Sequence, residues 1–400
     1  MGENLRRFLT AVACVVMGCA VGVVVTYCAT TGALQSQDLE TETGLEKYAE
    51  IMDLVDYYFI EDDVDMTAVN DAMASGIISG LGDRWSYYVS AEDYQAYVEN
   101  INNAYVGVGI TILAQYDEAG NLTGYEITEV TAGGPAEEAG VLAGDILVRV
   151  GDTQAADVSL EELKNLVKGE EGTTVDLTFL RDGQELTLTV ERRSVTVIPA
   201  EGRLLDGDIG YIIIDNFDAG CADTVKQLVE ELQAQGATSL LFDVRNNPGG
   251  LKSELTDLLD YLLPEGIVFH TVNYAGEEEI IRSDADCVDL PMAVLVNASS
   301  YSAAEYFACA LQEYGVGTVV GEQTYGKGYY QVGLTLSDGS CINLSIGKYY
   351  TPNGESLIDV GVTPDVEVAL DETQSSELSL GRLDPEEDPQ VQAAIASLQS

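Results

Sequence analysis

Histidine is nearly missing from this 400-residue chain, which contains only His270. A zinc site that needs several histidines cannot form, and the H-E-x-x-H motif is absent. A serine–histidine–aspartate triad would have to use His270, which lies in an apolar run and is expected to be a strand residue. Acid–base chemistry must therefore come mainly from carboxylates, lysine or tyrosine.

Basic residues are also scarce, with 18 lysines and arginines against 68 aspartates and glutamates, a formal net charge of −50. We expect no nucleic-acid partner, because nucleic-acid binding relies on cations that neutralise phosphates. Charge would not draw such a surface to anionic lipid either. Solubility through self-repulsion, or adaptation to salt, explains most of the acidic excess.

One long uncharged and mainly apolar run lies at the N-terminus, from Phe8 to about Thr31. It is long enough to span the hydrocarbon core of a bilayer, and Arg6 and Arg7 before it favour a cytoplasmic N-terminus. We interpret residues 1–32 as a signal anchor, which predicts a single-pass protein of the cell membrane with its later domains outside the cytoplasm. A cleaved signal peptide, which would give a secreted protein, is the alternative.

Seven cysteines are present, three of them in the apolar N-terminal run. The other four could form two disulfide bridges in any of three pairings or remain free thiols, and their spacing fits no metal motif. They are Cys221, Cys287, Cys309 and Cys341.

Periodicity and composition change along the chain and predict a multidomain α+β architecture. Apolar residues at helical spacing predict a helical region, short strands with turns predict a β-rich domain, and alternating strands and helices predict an α/β core with parallel strands. An acidic tail, expected to be flexible, leads to a last short helix that starts at Asp388-Pro389. The predicted regions are a linker over 33–44, the helical region over 45–103, the β-rich domain over 104–195, the core over 196–370 and the tail with its helix over 371–400.

Two motifs in the β-rich domain, G-P-A-E-E-A-G over 134–140 and G-D-I-L over 144–147, follow a glycine-spaced loop. Together they resemble the PDZ family. This resemblance implies that the C-terminus of a partner adds as a strand and that backbone N–H groups of the loop hold its carboxylate. A PDZ domain that only spaces its neighbours is the alternative. The predicted carboxylate-binding residues are Val106, Gly107, Val108, Gly109 and Ile110.

Ser302 follows an apolar strand and a small-residue turn, at the predicted start of a helix. A serine in this position usually caps the helix, and Glu305 would complete a capping box. The same position exposes the hydroxyl to free N–H groups and to the positive end of the helix dipole, which favour negative charge. Ser302 is therefore a candidate nucleophile as well as a cap.

Lys327 lies between two glycines in the segment G-E-Q-T-Y-G-K-G of residues 321–328. The segment nearly matches a phosphate-binding loop, but Gly328 replaces the hydroxyl that holds magnesium and Glu322 puts an anion in the cradle. As a base, the lysine needs a pKa lowered from about 10.4 toward neutrality, which burial among uncharged neighbours can supply. Nucleotide binding is kept as a rival hypothesis.

A third segment, residues 243–250, runs from a strand into a tight glycine turn. Free amides at the carboxyl end of a strand are where an α/β sheet binds ligand groups. Either Gly249 or Gly250, together with the N–H of Ala303, is the predicted oxyanion hole.

These motifs together resemble the carboxyl-terminal processing proteases, also called tail-specific proteases, of peptidase family S41. The resemblance extends from about Leu45 to Leu398. It implies a ClpP/crotonase-like α/β serine protease core in which Ser302 is the nucleophile, Lys327 the general base and Gln331 the residue that orients the lysine. Arg84-Trp85 and Tyr301 depart from the family pattern without removing a reacting group.

The predicted function is that of an extracytoplasmic serine endopeptidase that recognises C-terminal tails through its PDZ domain and cleaves through an acyl-enzyme. The resemblance implies protein or peptide substrates with accessible C-termini and neither a metal nor an organic cofactor. A catalytically inactive PDZ scaffold of the cell envelope is the alternative. A homodimer is left open as a further partner.

Overall fold

The computed structural model describes residues 41–60, 63–117, 119–205 and 208–399. The described residues divide into two compact units, one that ends at Ala74 and one that begins at Ser75. The predicted signal anchor over residues 1–32 lies outside the described residues. No helix within the described ranges is long and apolar enough to cross a membrane.

The predicted helical region over 45–103 contains helices and also a strand. Helices α1 and α2 agree with the apolar spacing, but α1 begins at Thr41, so the last four residues of the predicted linker over 33–44 are helical. Helix α3 begins at Tyr94 rather than near Ser90, whose hydroxyl instead accepts the N–H of Asp93 at 3.0 Å. Strand β1 pairs with a strand of the core, so this region is partly built into the core. The elements are α1 Thr41–Tyr58, α2 Met66–Ser79, β1 Tyr87–Val89 and α3 Tyr94–Ile101.

Residues 104–196 form an antiparallel β domain, as predicted. Its elements are β2 Ala104–Gly107, β3 Ile110–Tyr116, β4 Leu122–Val130, α4 Pro135–Ala139, β5 Ile146–Val150, β6 Thr153–Gln154, α5 Leu160–Val167, β7 Thr174–Arg181, β8 Gln184–Glu191 and β9 Arg193–Thr196. The main sheet has the order β3-β4-β5-β7-β8, and β2 pairs with β9 where the chain enters and leaves the domain. Ile127, Leu147, Leu163 and Phe179 are buried together in its core.

A mixed six-stranded sheet with helices on both faces forms the core. From residue 200 onward the elements are β10 Ala200–Leu205, β11 Ile209–Ile214, α6 Cys221–Gln235, β12 Ser239–Asp243, α7 Lys252–Leu262, β13 Gly266–Asn273, β14 Glu278–Ser283, β15 Met292–Val296, α8 Ala303–Glu313, β16 Gly317–Gly321, β17 Tyr329–Thr335, β18 Cys341–Tyr350, β19 Val366–Glu367, α9 Glu372–Ser379 and α10 Pro389–Leu398. The sheet order is β10-β11-β12-β15-β16-β19, and the parallel pairing predicted from strand–helix alternation is confirmed for β11, β12, β15 and β16. Phe242 and Phe307 pack together under α6, α7 and α8, while Val391 of α10 packs on the opposite face with Leu241.

Strand β13 does not join the parallel sheet, although the alternation placed it there. It lies in a second, antiparallel sheet of order β1-β18-β13-β14, with β17 also paired to β18. Within this sheet His270 pairs with Tyr350, which confirms that the single histidine is a strand residue.

The acidic tail was predicted to be flexible, and the structure contradicts this. Helix α9 begins with a capping box formed by Asp371 and Gln374. Asp388 is buried, accepts the N–H of Gln390 at 2.9 Å and forms an ion pair with Arg245. A capped helix and a buried charge pair therefore anchor this segment, and the predicted last helix, α10, is confirmed.

Candidate active site

Three loops that follow neighbouring parallel strands hold the predicted site residues. Strands β12, β15 and β16 are adjacent and end at Asp243, Val296 and Gly321. Because parallel strands leave their carboxyl ends at one edge of the sheet, the three following loops lie together there.

Ser302 lies in a strained turn immediately before helix α8. Its backbone has φ +61° and ψ −121°, a conformation that residues other than glycine rarely adopt. The buried hydroxyl of Ser300 donates to the carbonyl of Val244 at 2.7 Å, and the N–H of Tyr301 donates to the carbonyl of Asn247 at 3.2 Å. These bonds tie the serine turn to the glycine turn after β12, and they hold Ser302 in its strained form.

Glu305 joins the backbones of Ser302 and Lys327 through one carboxylate oxygen. Its Oε2 accepts the N–H of Ser302 at 3.1 Å and the N–H of Lys327 at 2.9 Å. Its Oε1 accepts the N–H of Gly326 at 2.5 Å and the hydroxyl of Thr324 at 2.6 Å. The side chain is buried, so these four donors replace the water that a carboxylate would otherwise bind. The sequence indicated Glu305 only as a helix cap, whereas it also fixes the lysine loop.

Lys327 is partly buried, and this burial lowers its pKa to about 8. The charges of Asp83 and Glu305 oppose the shift. Within the described residues, neither carboxylate forms an ion pair with the lysine amine. A lysine with this pKa carries a sizeable neutral fraction near neutral pH, which an ordinary lysine does not.

Gln331 is connected to the surroundings of Lys327 through a polar network. Its amide donates to the hydroxyl of Ser345 at 3.0 Å, and the N–H of Ser345 donates to the hydroxyl of Ser86 at 3.0 Å. That hydroxyl donates to Asp83 at 2.6 Å, whose charge acts on Lys327. Across the described part of the chain no direct hydrogen bond joins Gln331 to the lysine, so orientation of the lysine by Gln331 stays a prediction.

The glycine turn after β12 packs directly against Ser302. A side chain at Gly249, where φ is +92°, would lie 2.7 Å from Cβ of Ser302 and 2.8 Å from the backbone nitrogen of Ala303. The N–H of Gly249 already donates to Oδ1 of Asn247 at 2.8 Å. In the described ranges the N–H groups of Gly250 and Ala303 have no protein acceptor. Of the two predicted glycine donors, Gly250 is therefore the one whose amide is free.

Arg245 is buried at the beginning of this turn between two carboxylates. Its guanidinium lies 2.6 Å from Asp243 and 2.7 Å from Asp388, and Asp243 also accepts the hydroxyl of Tyr211 at 2.7 Å. Because Asp388 belongs to the C-terminal segment, the pair connects that segment to the strand that leads into the glycine turn.

Tyr349 lies beside Ser302 and was not singled out as a site residue by the sequence. Burial raises the pKa of its phenol, and the Ser302 side chain is close enough to oppose that rise. The two hydroxyls are nevertheless outside hydrogen-bonding geometry, and the Tyr349 oxygen has no partner among the described residues. The sequence signal available for it is the segment Y-Y-T-P of residues 349–352, which resembles the family pattern.

Three aromatic rings pack against one another, and one of them, that of Trp85, lies against the Lys327 amine. The ring centre of Trp85 lies 5.8 Å from that of Tyr301 and 5.4 Å from that of Tyr325, and the two tyrosines are 5.6 Å apart. The guanidinium of Arg84 lies over Trp85 and Tyr325, at 4.8 and 4.6 Å from the ring centres. The residues that depart from the family pattern are thus gathered at one place.

The predicted carboxylate-binding loop lines a groove of about 380 Å³ between β3 and α5. Gly107–Ile110 line this groove, whereas Val106 does not and instead pairs with Ser194 in β9. Strand β3 is at the edge of its sheet, so its outer side can pair with an added strand. The Tyr105 ring lies over Gly107, 2.6 Å from where a Cβ would be.

No metal site is formed by the residues that the structure describes. No three histidine, cysteine, aspartate or glutamate side chains among them are grouped to hold an ion. The four cysteines after the apolar N-terminal run are free thiols.

Two family models match the chain. Residues 208–368 match peptidase family S41, and residues 126–181 match a PDZ domain. The first match covers five of the six strands of the core sheet and the loops that hold Ser302 and Lys327. The second covers the middle of the β domain, including the α5 side of the groove, but neither strand β3 nor the loop Gly107–Ile110.

Known proteins show the same relationship. A "Probable CtpA-like serine protease" of Staphylococcus epidermidis is 28% identical over 304 residues, which are 75% of this chain and 60% of the relative. A "Carboxyl-terminal-processing protease" of Synechocystis sp. is 35% identical over 279 residues, 68% of this chain and 64% of the relative. The chain thus spans less than two thirds of the length of these relatives.

A solved structure from Bacteroides fragilis, described as an S41 protease, has a TM-score of 0.57 and 18% identity. The match covers 85% of this chain and 92% of that chain, and it shows a shared fold. Residues 208–368 therefore form a peptidase family S41 domain, and a PDZ domain lies ahead of it in the chain.

Proposed function

We propose that the protein is a serine endopeptidase that binds C-terminal tails of protein substrates through its PDZ domain and cleaves them with a Ser302–Lys327 dyad. The observation that carries the proposal is the single Glu305 oxygen that bonds to the backbone N–H of both residues. A strained serine beside a partly buried lysine of lowered pKa is the arrangement that serine–lysine chemistry requires.

The reaction begins when the neutral amine of Lys327 takes the proton of the Ser302 hydroxyl. The oxygen attacks a peptide carbonyl, and the N–H groups of Gly250 and Ala303 bind the oxyanion, a contribution of about 2.7–4 kcal/mol for each donor. The lysine ammonium then protonates the leaving amine, which breaks the peptide bond and leaves an acyl-enzyme. Water, deprotonated by the same amine, releases the acid and regenerates Ser302.

Activity is expected to rise with pH as Lys327 loses its proton. Below its pKa of about 8 the lysine is mainly an ammonium and cannot accept the serine proton; above it, the neutral base predominates. The pH profile of kcat/KM for the free enzyme should therefore have its acidic limb near pH 8.

The PDZ groove supports recognition of a chain end, with the terminal carboxylate on the N–H groups of Gly107–Ile110. The protease site would then act on a segment of the same substrate that lacks stable structure. The apolar N-terminal run supports a location outside the cytoplasm, either anchored in the cell membrane or secreted.

If the protein were an inactive scaffold, the burial and lowered pKa of Lys327 would have no function. A scaffold could retain the fold, but it would not need a partly buried lysine of lowered pKa whose backbone shares one Glu305 oxygen with a strained serine. These two features favour the protease.

The test compares wild-type full-length protein with Ser302→Ala and Lys327→Arg variants on unstructured peptides that end in small apolar residues. We expect cleavage and covalent labelling by a serine-directed reagent in the wild type. We expect neither cleavage nor labelling in Ser302→Ala, and no cleavage in Lys327→Arg, because guanidinium cannot act as a neutral base. Turnover by the arginine variant would remove Lys327 from the role of base.

A further inference from the structure

Two buried tyrosines on neighbouring elements carry phenol oxygens that the fold leaves unpaired. Tyr306, near the start of α8, is 0% exposed, and Tyr349, near the end of β18, is 3% exposed. Their rings meet edge to face with centres 5.8 Å apart. Neither oxygen has a hydrogen-bond partner on any residue whose position the structure describes. Because a buried hydroxyl without a partner destabilises a fold, such a group calls for a functional explanation.

Tyr349 is placed between the two residues of the proposed dyad. Its N–H donates to the carbonyl of Gly328, the residue after Lys327, at 3.0 Å. Its ring packs on Tyr306, whose own N–H donates to the carbonyl of Ser302 at 3.0 Å. The unpaired phenol oxygen of Tyr349 lies beside the Ser302 side chain, outside bonding geometry in the resting enzyme.

The oxygen of Tyr306 faces a different part of the core. Burial raises the pKa of both phenols, so each keeps its proton and is a hydrogen-bond donor near neutral pH. The group that opposes the rise in pKa is the Ser302 side chain for Tyr349 and the backbone of His270 for Tyr306. Two phenols of nearly equal burial thus differ in whether a proposed reacting atom is next to them.

A donor beside Ser302 gains a partner only when the reaction starts. As the hydroxyl proton passes to the Lys327 amine, negative charge develops on Oγ of Ser302, which has lone pairs free to accept. A hydrogen bond to an ionised acceptor is shorter and roughly twice as strong as one to a neutral acceptor. An interaction that is missing in the resting enzyme and forms in the transition state raises kcat without tightening the binding of substrate.

We propose that Tyr349 is a further catalytic residue, whose phenol donates a hydrogen bond to Oγ of Ser302 as that oxygen attacks the peptide carbonyl. The same donor serves when Oγ leaves the acyl group during hydrolysis of the acyl-enzyme. The phenol keeps its proton throughout, and the serine proton still passes to Lys327, so the proposed cycle gains a stabilising contact and no extra proton transfer. The inference rests on the proposed nucleophile and does not depend on tail binding by the PDZ domain.

The test compares full-length Tyr349→Phe, which deletes only the phenol oxygen, with the wild type on one unstructured peptide. We expect kcat to fall about 10- to 100-fold, somewhat less than after loss of an oxyanion-hole donor, with KM within about 2-fold of the wild-type value. Covalent labelling by a serine-directed reagent should slow by a similar factor, because its rate reports the nucleophilicity of Ser302 itself. The acidic limb of kcat/KM should stay near pH 8, since Lys327 is unchanged. The urea midpoint should equal or exceed that of the wild type, because an unpaired buried group is removed.

Tyr306→Phe is the matched control, because it removes a similarly buried and unpaired oxygen from the ring that packs on Tyr349. It should keep kcat and the labelling rate within about 2-fold of the wild type, and it should likewise keep or raise the urea midpoint. Wild-type kcat in Tyr349→Phe, or equal losses of kcat in both variants, would overturn the inference and leave the dyad intact. Cleavage that survives Ser302→Ala would overturn the proposed nucleophile and the inference together.

Discussion

The amine of Lys327 lies 4.5 Å from the centre of the Trp85 ring, so an aromatic side chain covers the proposed base. A ring face attracts an ammonium and by itself would favour the charged form by about 0.5–1 kcal/mol. The pKa of Lys327 is nevertheless lowered, because burial outweighs the charges of Asp83 and Glu305. We expect Trp85 to contribute to this burial by keeping water away from the amine.

Replacing Trp85 with alanine should raise the pKa of Lys327 from about 8 toward the ordinary lysine value. The acidic limb of the kcat/KM profile would move to higher pH, since more hydroxide is needed to produce the neutral amine. At pH 7.5 we expect a loss of activity on the order of 10- to 100-fold, with partial recovery near pH 10. Full pH profiles on one peptide substrate provide the measurement.

Trp85→Phe is the matched control, because a smaller ring still covers the amine and should keep the limb close to that of the wild type. If the alanine variant lost activity equally at all pH values, Trp85 would contribute to shape or folding and not to the protonation of Lys327.

Glu305→Gln should disrupt both halves of the dyad at once. The amide group would replace one carboxylate oxygen, and each oxygen accepts at least one backbone N–H, so donors would face donors in a buried site. Each unsatisfied buried donor costs about 1–3 kcal/mol. We expect a lower urea midpoint and a fall in kcat of about 100-fold or more. A Glu305→Gln variant with wild-type kcat would show that the shared oxygen does not position the dyad.

The roles proposed for Ser302 and Lys327 could be predicted because each lies in a short contiguous motif with a recognisable chemical requirement. The role of Glu305 could not, because its partners Gly326 and Lys327 come from a loop that only the order of β15 and β16 brings close. The sequence therefore indicates both residues of the proposed dyad and misses Glu305, which joins their backbones.

Gly249→Ala should damage the site more than the fold. The added methyl would lie 2.7 Å from Cβ of Ser302 and must displace the serine turn. Gly236→Ala is a matched control, since Gly236 has a similar positive φ of +109° but open space around it. Both variants should lose about 1 kcal/mol of unfolding free energy from backbone strain. Only Gly249→Ala should also lose most of its kcat, and equal kcat values in the two variants would contradict the packing argument.

The fold was predictable where pairing is local and not where it is distant. Alternating strands and helices correctly predicted the parallel order around β12, but nothing local indicated that β1 pairs with β18 or that β13 leaves the main sheet. The acidic tail shows the same limit. Its composition is typical of a flexible segment, yet Asp388 is buried in an ion pair with Arg245, which lies 143 positions earlier in the chain.

Asp388→Asn tests whether the C-terminal segment supports the active site. Asparagine can still accept the N–H of Gln390 and cap α10, so the helix start should survive. Its amide would face the Arg245 guanidinium, 2.7 Å from the oxygen it replaces. The buried cation would keep the carboxylate of Asp243 and the neutral Oε1 of Gln390, but it would lose the charge of Asp388. Removing one partner of a buried ion pair is strongly destabilising, and we expect a loss of about 3 kcal/mol in urea unfolding.

The same variant should lower kcat/KM, because Arg245 begins the turn that carries Gly250, the proposed oxyanion donor. Glu386→Gln, an exposed change in the same segment, is the control and should alter the free energy of unfolding by less than about 0.5 kcal/mol. If Asp388→Asn unfolded more easily but kept full kcat/KM under conditions where it stays folded, the C-terminal segment would stabilise the sheet without shaping the glycine turn. If instead kcat/KM fell while the control kept its activity, the buried pair would connect the end of the chain to the oxyanion hole.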